Sequence, residues 1–233
     1  MAKLSSLFNV EMNPVIYEQL YVTSVYDQIA HEFDHTRHHL WPSIREFISR
    51  IPLTPTIKIA EIGCGNGRNM LLRPENFIGL DSSQTFIDIC QQKSLNAQQG
   101  SILNIPFETN TADYTICIAV IHHLSTEERR LQAINELVRI TKPSGQILIT
   151  VWSRESQRDN QYCNKRLSES HAITNTNQDR LVEWVGHSGR TYQRYYHFFV
   201  EDELDEMCHS IQGIDILTSY EEHGNYCVIL KKI

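Results

Sequence analysis

Between Ile57 and Arg68 the chain reads Ile-Lys-Ile-Ala-Glu-Ile-Gly-Cys-Gly-Asn-Gly-Arg, a stretch that few architectures accommodate. Its first half is a short apolar run rich in β-branched isoleucine, bounded by Pro55 upstream and glycines downstream, and it reads as a buried strand. The second half is a turn. Gly63, Gly65 and Gly67 allow positive φ and let the backbone come within contact distance of a ligand. Glu61 stands just inside the carboxyl end of the strand, where open α/β sheets place their ligands.

Spacing decides which ligand. A dinucleotide fingerprint needs G-x-G-x-x-G over a helix start that holds pyrophosphate, whereas this chain has G-x-G-x-G. Glu61, immediately before the loop, repels a pyrophosphate and attracts an ammonium. A second acid, Asp81, ends the next apolar run, Phe77-Ile-Gly-Leu-Asp, where it can take both hydroxyls of a ribose. A cationic amino acid joined to a nucleoside satisfies both acids, and S-adenosylmethionine is such a molecule. A tight strand-to-helix turn with no ligand is the competing explanation, but such a turn does not need three glycines.

The rest of the chain fits a doubly wound α/β domain. Helical spacing predicts one helix from Val15 to about Phe33 and a second from Trp41, the two forming an N-terminal helical cap over residues 1–52 that lies across the ligand as a lid. After the glycine loop come a strand at Phe77–Leu80, a helix at about Ser83–Lys93, a short strand near Asn96–Ser101 and a near-continuous apolar strand at Ala112–Ile121. A helix opened by Ser125-Thr-Glu-Glu is ended by Lys142-Pro-Ser-Gly, and a strand follows at Gln146–Trp152. From residue 153 to 190 periodicity vanishes and polar residues dominate, so a mobile polar insertion is expected there. Val200–Ile211 reads as a helix, and Ile214–Tyr220 with Tyr226–Lys231 as a hairpin around His223-Gly224-Asn225.

At 233 residues the chain suits one such domain and is short for two. It has no 18-residue apolar run and no basic-then-apolar N-terminus, which leads us to expect a soluble, cytoplasmic protein. The six cysteines form no C-x-x-C pair, and reduced core thiols are expected rather than disulfides or a zinc site. The net charge of −7 argues against unaided coating of nucleic acid. It is uneven, however: residues 153–197 carry 7 Lys/Arg against 5 Asp/Glu, while residues 198–233 carry 2 against 8. A polyanion is therefore met locally.

His31-Glu-Phe-Asp-His35 matches the zinc-protease pattern H-E-x-x-H, but its extended form needs glycine and histidine where His38 and Trp41 stand. We expect no metal here, only an exposed helix face. His122 and His123 close the strand beside the glycine-bearing one, where substrate groups collect. Further on, Arg190-Thr-Tyr-Gln-Arg-Tyr-Tyr-His interleaves cations with aromatics, either to stack RNA bases or as an ordinary strand entering the hairpin.

Four stretches together resemble one family. They are Tyr26-Asp-Gln-Ile-Ala-His-Glu-Phe-Asp-His-Thr-Arg-His-His-Leu-Trp-Pro42, the Glu61–Gly67 loop, Ile118-Ala-Val-Ile-His-His-Leu-Ser-Thr-Glu-Glu-Arg-Arg130 and Arg194-Tyr-Tyr-His197. The chain is similar to the eukaryotic tRNA carboxymethyl-uridine methyltransferases, which esterify the carboxymethyl group of the wobble uridine. The glycine loop is shared with all class I methyltransferases; the T-R-x-x-x-W-P and I-A-V-I-H-H segments are more specific. Ser101, where relatives often have an acid facing adenine, and Ser144-Gly145, in place of paired glycines, depart from the pattern.

The resemblance implies a class I Rossmann-like doubly wound sheet, mostly parallel with a C-terminal antiparallel hairpin. It also implies a heterodimer with a small zinc-binding activator protein that extends the sheet at the edge strand Asn96–Ser101. The expected cofactor contacts are Tyr26, Glu61, Gly63, Cys64, Gly65, Asn66, Gly67, Asp81, Ser82, Ser101, Ile102 and Ala119. Arg37, His122 and His123 are the catalytic candidates; Trp152, Arg194, Tyr195, Tyr196 and His197 are those for the tRNA anticodon loop. A small-molecule or protein methyltransferase, or an inactive scaffold of the same fold, are the alternatives on sequence alone.

Overall fold

The computed structural model describes residues 13–36, 40–155, 160–174 and 176–233. Its centre is a seven-stranded sheet: β1 (Ile59–Ile62), β2 (Phe77–Asp81), β3 (Ala97–Gln99), β4 (Ala112–Ile118), β5 (Thr141–Trp152), β9 (Ile214–Glu222) and β10 (Asn225–Lys232), in the order β3-β2-β1-β4-β5-β10-β9. The first five strands run parallel, and β10 and β9 close the sheet antiparallel. The two-residue turn His223-Gly224 joins them with φ of 49° and 68°, as a right-twisted hairpin requires. Chain order reverses between β1 and β4, which makes the carboxyl ends of those strands the crevice of the fold.

Central strands buried on both faces need helices on both sides. In β4, Cys117 turns toward one helical layer and its neighbours Ile116 and Ile118 toward the other. The first layer holds α5 (Glu127–Ile140), through Ala133, Ile134 and Leu137, and α7 (Glu203–His209), through Leu204 and Met207. The second holds α3 (Pro42–Arg50), through Ile44, Phe47 and Ile48, and α4 (Gln84–Gln92), through Ile87 and Cys90. Ser83 caps α4 by accepting from Phe86 N, and Thr126 caps α5 by accepting from Arg129 N. All six cysteines are buried and free.

The N-terminal cap is a continuous helical arm: α1 (Pro14–Glu18), a π-helical turn (Gln19–Thr23) and α2 (Ser24–Thr36). It crosses the carboxyl end of the sheet.

One expectation is corrected. Within residues 153–190, read as an unstructured insertion, the chain forms α6 (Asn160–Ser168), β6 (Ser170–Ala172) and β7 (Asp179–Val185), and β7 pairs antiparallel with β8 (Thr191–His197) to build a second, three-stranded sheet. Composition misled because this segment draws its core from neighbours: Leu167 and Val182 pack with Trp152, Tyr196 and Phe198. Arg180 then satisfies the turn by donating to the carbonyls of Leu167 and Ser170.

Candidate active site

A cavity of about 660 Å³ lies over the carboxyl ends of β1, β2 and β4, roofed by the helical arm and walled on one side by β8. Its two ends differ in chemistry. At the first end, Gly63 and Cys64 donate their N–H groups to Leu80 O (2.7 and 2.9 Å), which folds the glycine loop back over β2. Gly63 has φ +77° and no room for a side chain, since a Cβ would lie 2.2 Å from Val120 Cγ2.

Glu61 is only 2% exposed. Its Oε1 accepts from Asn69 Nδ2 at 2.6 Å, and its Oε2 has no hydrogen-bond partner among the described residues. Burial pushes this carboxyl up to about 8. A buried carboxylate oxygen left open in a cavity wall is matched by a cationic ligand group. Asp81 accepts from Gly65 N through Oδ2 (2.8 Å) and from Ser83 N through Oδ1 (2.9 Å), and burial pushes it up to about 6. Each of its oxygens keeps a lone pair for a hydroxyl. Ser82, Gln99, Ser101 and Ile102 continue the wall, as does Ala119, whose φ of +59° is held by N–H bonds to Thr150 O and Oγ1, both 3.0 Å. An ammonium beside Glu61, a ribose at Asp81 and a base beyond fit the S-adenosylmethionine expected from sequence.

Three acids fix the helical arm over this end. Glu18 accepts from Ser125 N, Ser125 Oγ and Arg129 Nε, and pairs with Arg129 Nη2 at 2.6 Å. Asp27 accepts from Ser83 Oγ at the start of α4. Asp34 takes Asn66 Nδ2 (2.8 Å) and Lys93 Nζ (2.7 Å), joining the end of α2 to the glycine loop. Tyr26 and Phe33 then pack against Phe86.

The second end is built from His122, His123, Trp152, Arg194 and Tyr196. The hydrogen bonds fix both histidine tautomers. Trp152 N donates to His122 Nδ1 (3.0 Å), so in the neutral ring the proton sits on Nε2. That nitrogen is buried and without a partner among the described residues. Burial, then neighbouring His123, holds the His122 pKa well below the usual imidazole range. His122 is therefore a neutral donor. His123 Nδ1 faces Tyr195 O (2.8 Å) and must carry its own proton there, leaving Nε2 to accept from Tyr26 OH (3.0 Å). Tyr26 OH in turn accepts from Tyr196 OH (3.0 Å), which accepts from Arg194 Nη1 (3.0 Å). Burial pushes His123 down to about 3. Arg194, 4% exposed, keeps an Nε without a partner among the described residues. Trp152 stacks on Tyr196 (4.0 Å between centroids, 11°), and the Arg166 guanidinium lies 4.1 Å from the Trp152 ring centre.

The structure gathers most of the described residues singled out from sequence, and it separates three. Arg37 lies outside the described residues. Gly67 stands behind the cavity wall: a Cβ there would come 2.4 Å from Leu95 Cδ1, so its bareness serves the packing of α4 against the loop. Tyr195 and His197 are corrected outright. Side chains alternate along β8, so Arg194 and Tyr196 reach the cavity while their odd-numbered neighbours face the core. There Tyr195 OH donates to Asp179, and His197 sits between Asp179 (2.8 Å) and Glu203 (2.7 Å).

Glu32 of the zinc-protease-like pattern accepts from His187 N (2.7 Å), which ties α2 to the tip of the β7–β8 hairpin. Sequence reading missed Asn69, the Glu18–Arg129 pair and Arg166. The Glu18–Arg129 pair joins residues far apart in the chain and Arg166 lies on α6, which carried no periodic signal, while Asn69 stands just before a single helical turn outside the glycine motif.

A methyltransferase domain family matches residues 60–149. A Schizosaccharomyces pombe protein named tRNA (carboxymethyluridine(34)-5-O)-methyltransferase is 32% identical over 93% of this chain and 98% of its own length. Proteins of that name from Arabidopsis thaliana (42% identical, 78% of this chain) and Xenopus tropicalis (32%, 96% of this chain) are longer; the chain spans 43% and 42% of them. Among solved structures, a SAM-dependent methyltransferase of Thermotoga maritima has a TM-score of 0.61 at 17% identity, covering 90% of this chain and 99% of that one. The methyltransferase complexed with the Trm112 activator of Haloferax volcanii has 0.63 at 14%, covering 89% and 97%. These two share the class I methyltransferase fold with this chain.

Proposed function

The chain belongs to the tRNA (carboxymethyluridine(34)-5-O)-methyltransferase family, and from that premise we propose that it methylates the carboxylate of 5-carboxymethyluridine at the wobble position of tRNA, with S-adenosylmethionine as donor. One observation carries the reading: a single cavity has an open carboxylate oxygen, Glu61 Oε2, at one end and two open buried donors, His122 Nε2 and Arg194 Nε, at the other. The first end suits a cationic donor and the second an anionic acceptor.

Bound S-adenosylmethionine supplies a methyl group made electrophilic by its sulfonium. Glu61 takes the ammonium, Asp81 the ribose hydroxyls, and Gln99, Ser101 and Ile102 line the base. The acceptor needs no general base, because a carboxylate titrating near its usual value of about 4 is already ionised at neutral pH. The protein's task is positioning. His122 Nε2–H and Arg194 hold one carboxylate oxygen and leave the other to attack in line, and proximity supplies most of the rate. Trp152 and Tyr196 flank the uracil. The helical arm excludes water above them, and Arg37 is retained as a further cation for the carboxylate.

A small zinc-binding activator protein completes the assembly by adding a strand to β3, which lies at the sheet edge with Gln98 and Gln99 exposed. Any zinc belongs to that partner. The six unpaired thiols accord with a cytoplasmic setting.

The test is transfer of labelled methyl from S-adenosylmethionine to tRNA with and without the wobble carboxymethyl group, the chain being produced with and without the activator. Label in carboxymethylated tRNA alone is expected, as an ester that mild alkali removes. Equal label in both tRNAs, or none in either with the activator present, refutes the proposal.

A further inference from the structure

Resting on the reading that the substrate is a tRNA loop, we propose that Trp184, Tyr192 and Arg190, at the outer end of the β7–β8 hairpin, form a stacking platform for a loop nucleotide beside the one held in the cavity. Strand register carries this inference. Val182 lies opposite Arg194, and Trp184 opposite Tyr192. Directly opposed residues share a face of a sheet, so Trp184 and Tyr192 stand on the same face as Arg194 and Tyr196, which line the cavity. The face is continuous, with its inner end in the active site and its outer end at the surface.

The charge that its two strands contribute is one-sided, with Glu32 of the arm reaching only the tip at Gly186 and His187. Arg180 and Arg194 lie on this face with no acid between them, whereas Asp179 and Glu183 both project from the other. In a chain of net charge −7, such a face is where a polyanion can approach. At the outer end the Trp184 and Tyr192 rings lie 5.9 Å apart, tilted by 52°. The Arg190 guanidinium is 5.0 Å from the Tyr192 ring centre. Both rings are partly exposed, outside the cluster of Val182, Tyr196 and Phe198 further in.

Scale and rigidity fit a neighbouring nucleotide. Two residues along a strand span about 6.6 Å, a distance that an adjoining nucleotide can bridge once its base is unstacked. The tip is also fixed to the arm that roofs the cavity, because His187 donates to Glu32 through both N (2.7 Å) and Nδ1 (2.9 Å). Single-stranded RNA is read by aromatic side chains that take unstacked bases, with arginines nearby for the backbone. Trp184, Tyr192 and Arg190 supply those parts on the surface that leads out of the site.

The test uses the full chain with its co-expressed activator and an anticodon stem-loop RNA carrying 5-carboxymethyluridine, with 2-aminopurine at the adjoining loop position. Wild-type protein should quench the 2-aminopurine. Trp184→Ala and Tyr192→Ala should relieve the quenching and raise Kd and KM for RNA at least about fivefold, the usual share of one stacked base. Affinity for S-adenosylhomocysteine should stay constant, and Trp184→Phe should recover most of the RNA binding. Absence of quenching by wild-type protein, or alanine variants whose RNA affinity stays within twofold, overturns the platform and leaves these rings to a protein contact. The two readings can fail separately: quenching without methyl transfer removes the proposed reaction and keeps the platform, while methyl transfer unaffected by the variants removes the platform alone.

Discussion

Cofactor affinity should be bell-shaped in pH, with its acid limb set by Glu61. In the free protein this buried carboxyl titrates at about 8, so at pH 6 only about 1% of it is ionised and at pH 8 about half. The cofactor's α-amino group is charged below an ordinary pKa of about 8. Tight binding needs the carboxylate and the ammonium together. The product of the two ionised fractions is about 0.01 at pH 6, 0.08 at pH 7, 0.25 at pH 8 and 0.08 at pH 9. Kd should therefore be about 25-fold weaker at pH 6 than at pH 8 and about threefold weaker at pH 7 or 9. Asp81, held at about 6, steepens the fall at the lowest pH. Because the carboxyl must lose its proton as it takes the ammonium, close to one proton is released per cofactor bound at pH 6.5. Isothermal titration calorimetry in two buffers of different ionisation enthalpy measures affinity and proton release together, without turnover. Glu61→Gln should bind weakly with the acid limb flattened. Equal affinity at pH 6 and 8, or a Gln variant with the wild-type slope, would refute the assignment of Glu61 to the ammonium.

Three further outcomes are expected. Gly63→Ala places a Cβ 2.2 Å from Val120 Cγ2 at φ +77°; strain of about 1–2 kcal/mol before relaxation should weaken cofactor binding at least tenfold by calorimetry. Glu18→Ala leaves Arg129 and Ser125 without their acceptor, at roughly 1–3 kcal/mol, and should appear as faster hydrogen exchange across residues 14–36 with a raised KM for cofactor. His197→Ala leaves Asp179 and Glu203 without the ring between them. In the wild type, burial opposes the imidazolium but those carboxylates overcome it and hold its pKa above the ordinary value. Its contribution is thus complete below about 6.5 and lost as pH rises through the raised value, while Asp179 and Glu203, held low, contribute above the ordinary carboxylate range and lose that contribution as pH falls through their lowered values. Melting temperature against pH should lose its alkaline limb in the variant, with an overall cost of roughly 3–5 kcal/mol.

The cofactor end was legible in the sequence because its information is local. Glu61 lies in one strand, Gly63 and Gly65 follow it and Asp81 ends the next, so the strand-turn pattern alone puts them together. The doubly wound, mostly parallel sheet followed from the alternation of short apolar runs with helices and the antiparallel hairpin from its turn residues, whereas the edge place of β3 came only from the family resemblance and the order of the strands was not read. The substrate end was half legible. Arg194-Tyr-Tyr-His197 announced cations and aromatics, but which of them reach the cavity depends on the register of β7 against β8, and a strand covered on both faces gives no period-two pattern to read. Tyr195 and His197 look like Arg194 and Tyr196 in sequence and point the opposite way in space. Arg166 and Trp184 gave no signal, because the segment carrying them borrows its apolar contacts from Trp152 and Phe198.

On the proposed reading, the hydrogen-bonded chain across the second end of the cavity would hold a carboxylate without disarming it. Fully paired with cations, the acceptor's negative charge would be too well stabilised to attack. Here burial removes the charge from both histidines, and bonds to fixed neighbours decide where each remaining proton points. Arg194 donates to Tyr196, Tyr196 to Tyr26, and Tyr26 to His123, whose other nitrogen is anchored on the Tyr195 carbonyl. That direction leaves Arg194 as the formal cation and His122 as a neutral donor. Tyr26, supplied by the helical arm, is the member that ties that arm to the chain of bonds. The arm and the histidine–arginine end of the cavity are thereby joined through one hydroxyl, so Tyr26→Phe should lower kcat for methyl transfer about two- to tenfold, the worth of one or two buried hydrogen bonds, while the Glu61-controlled pH profile of cofactor binding stays in place.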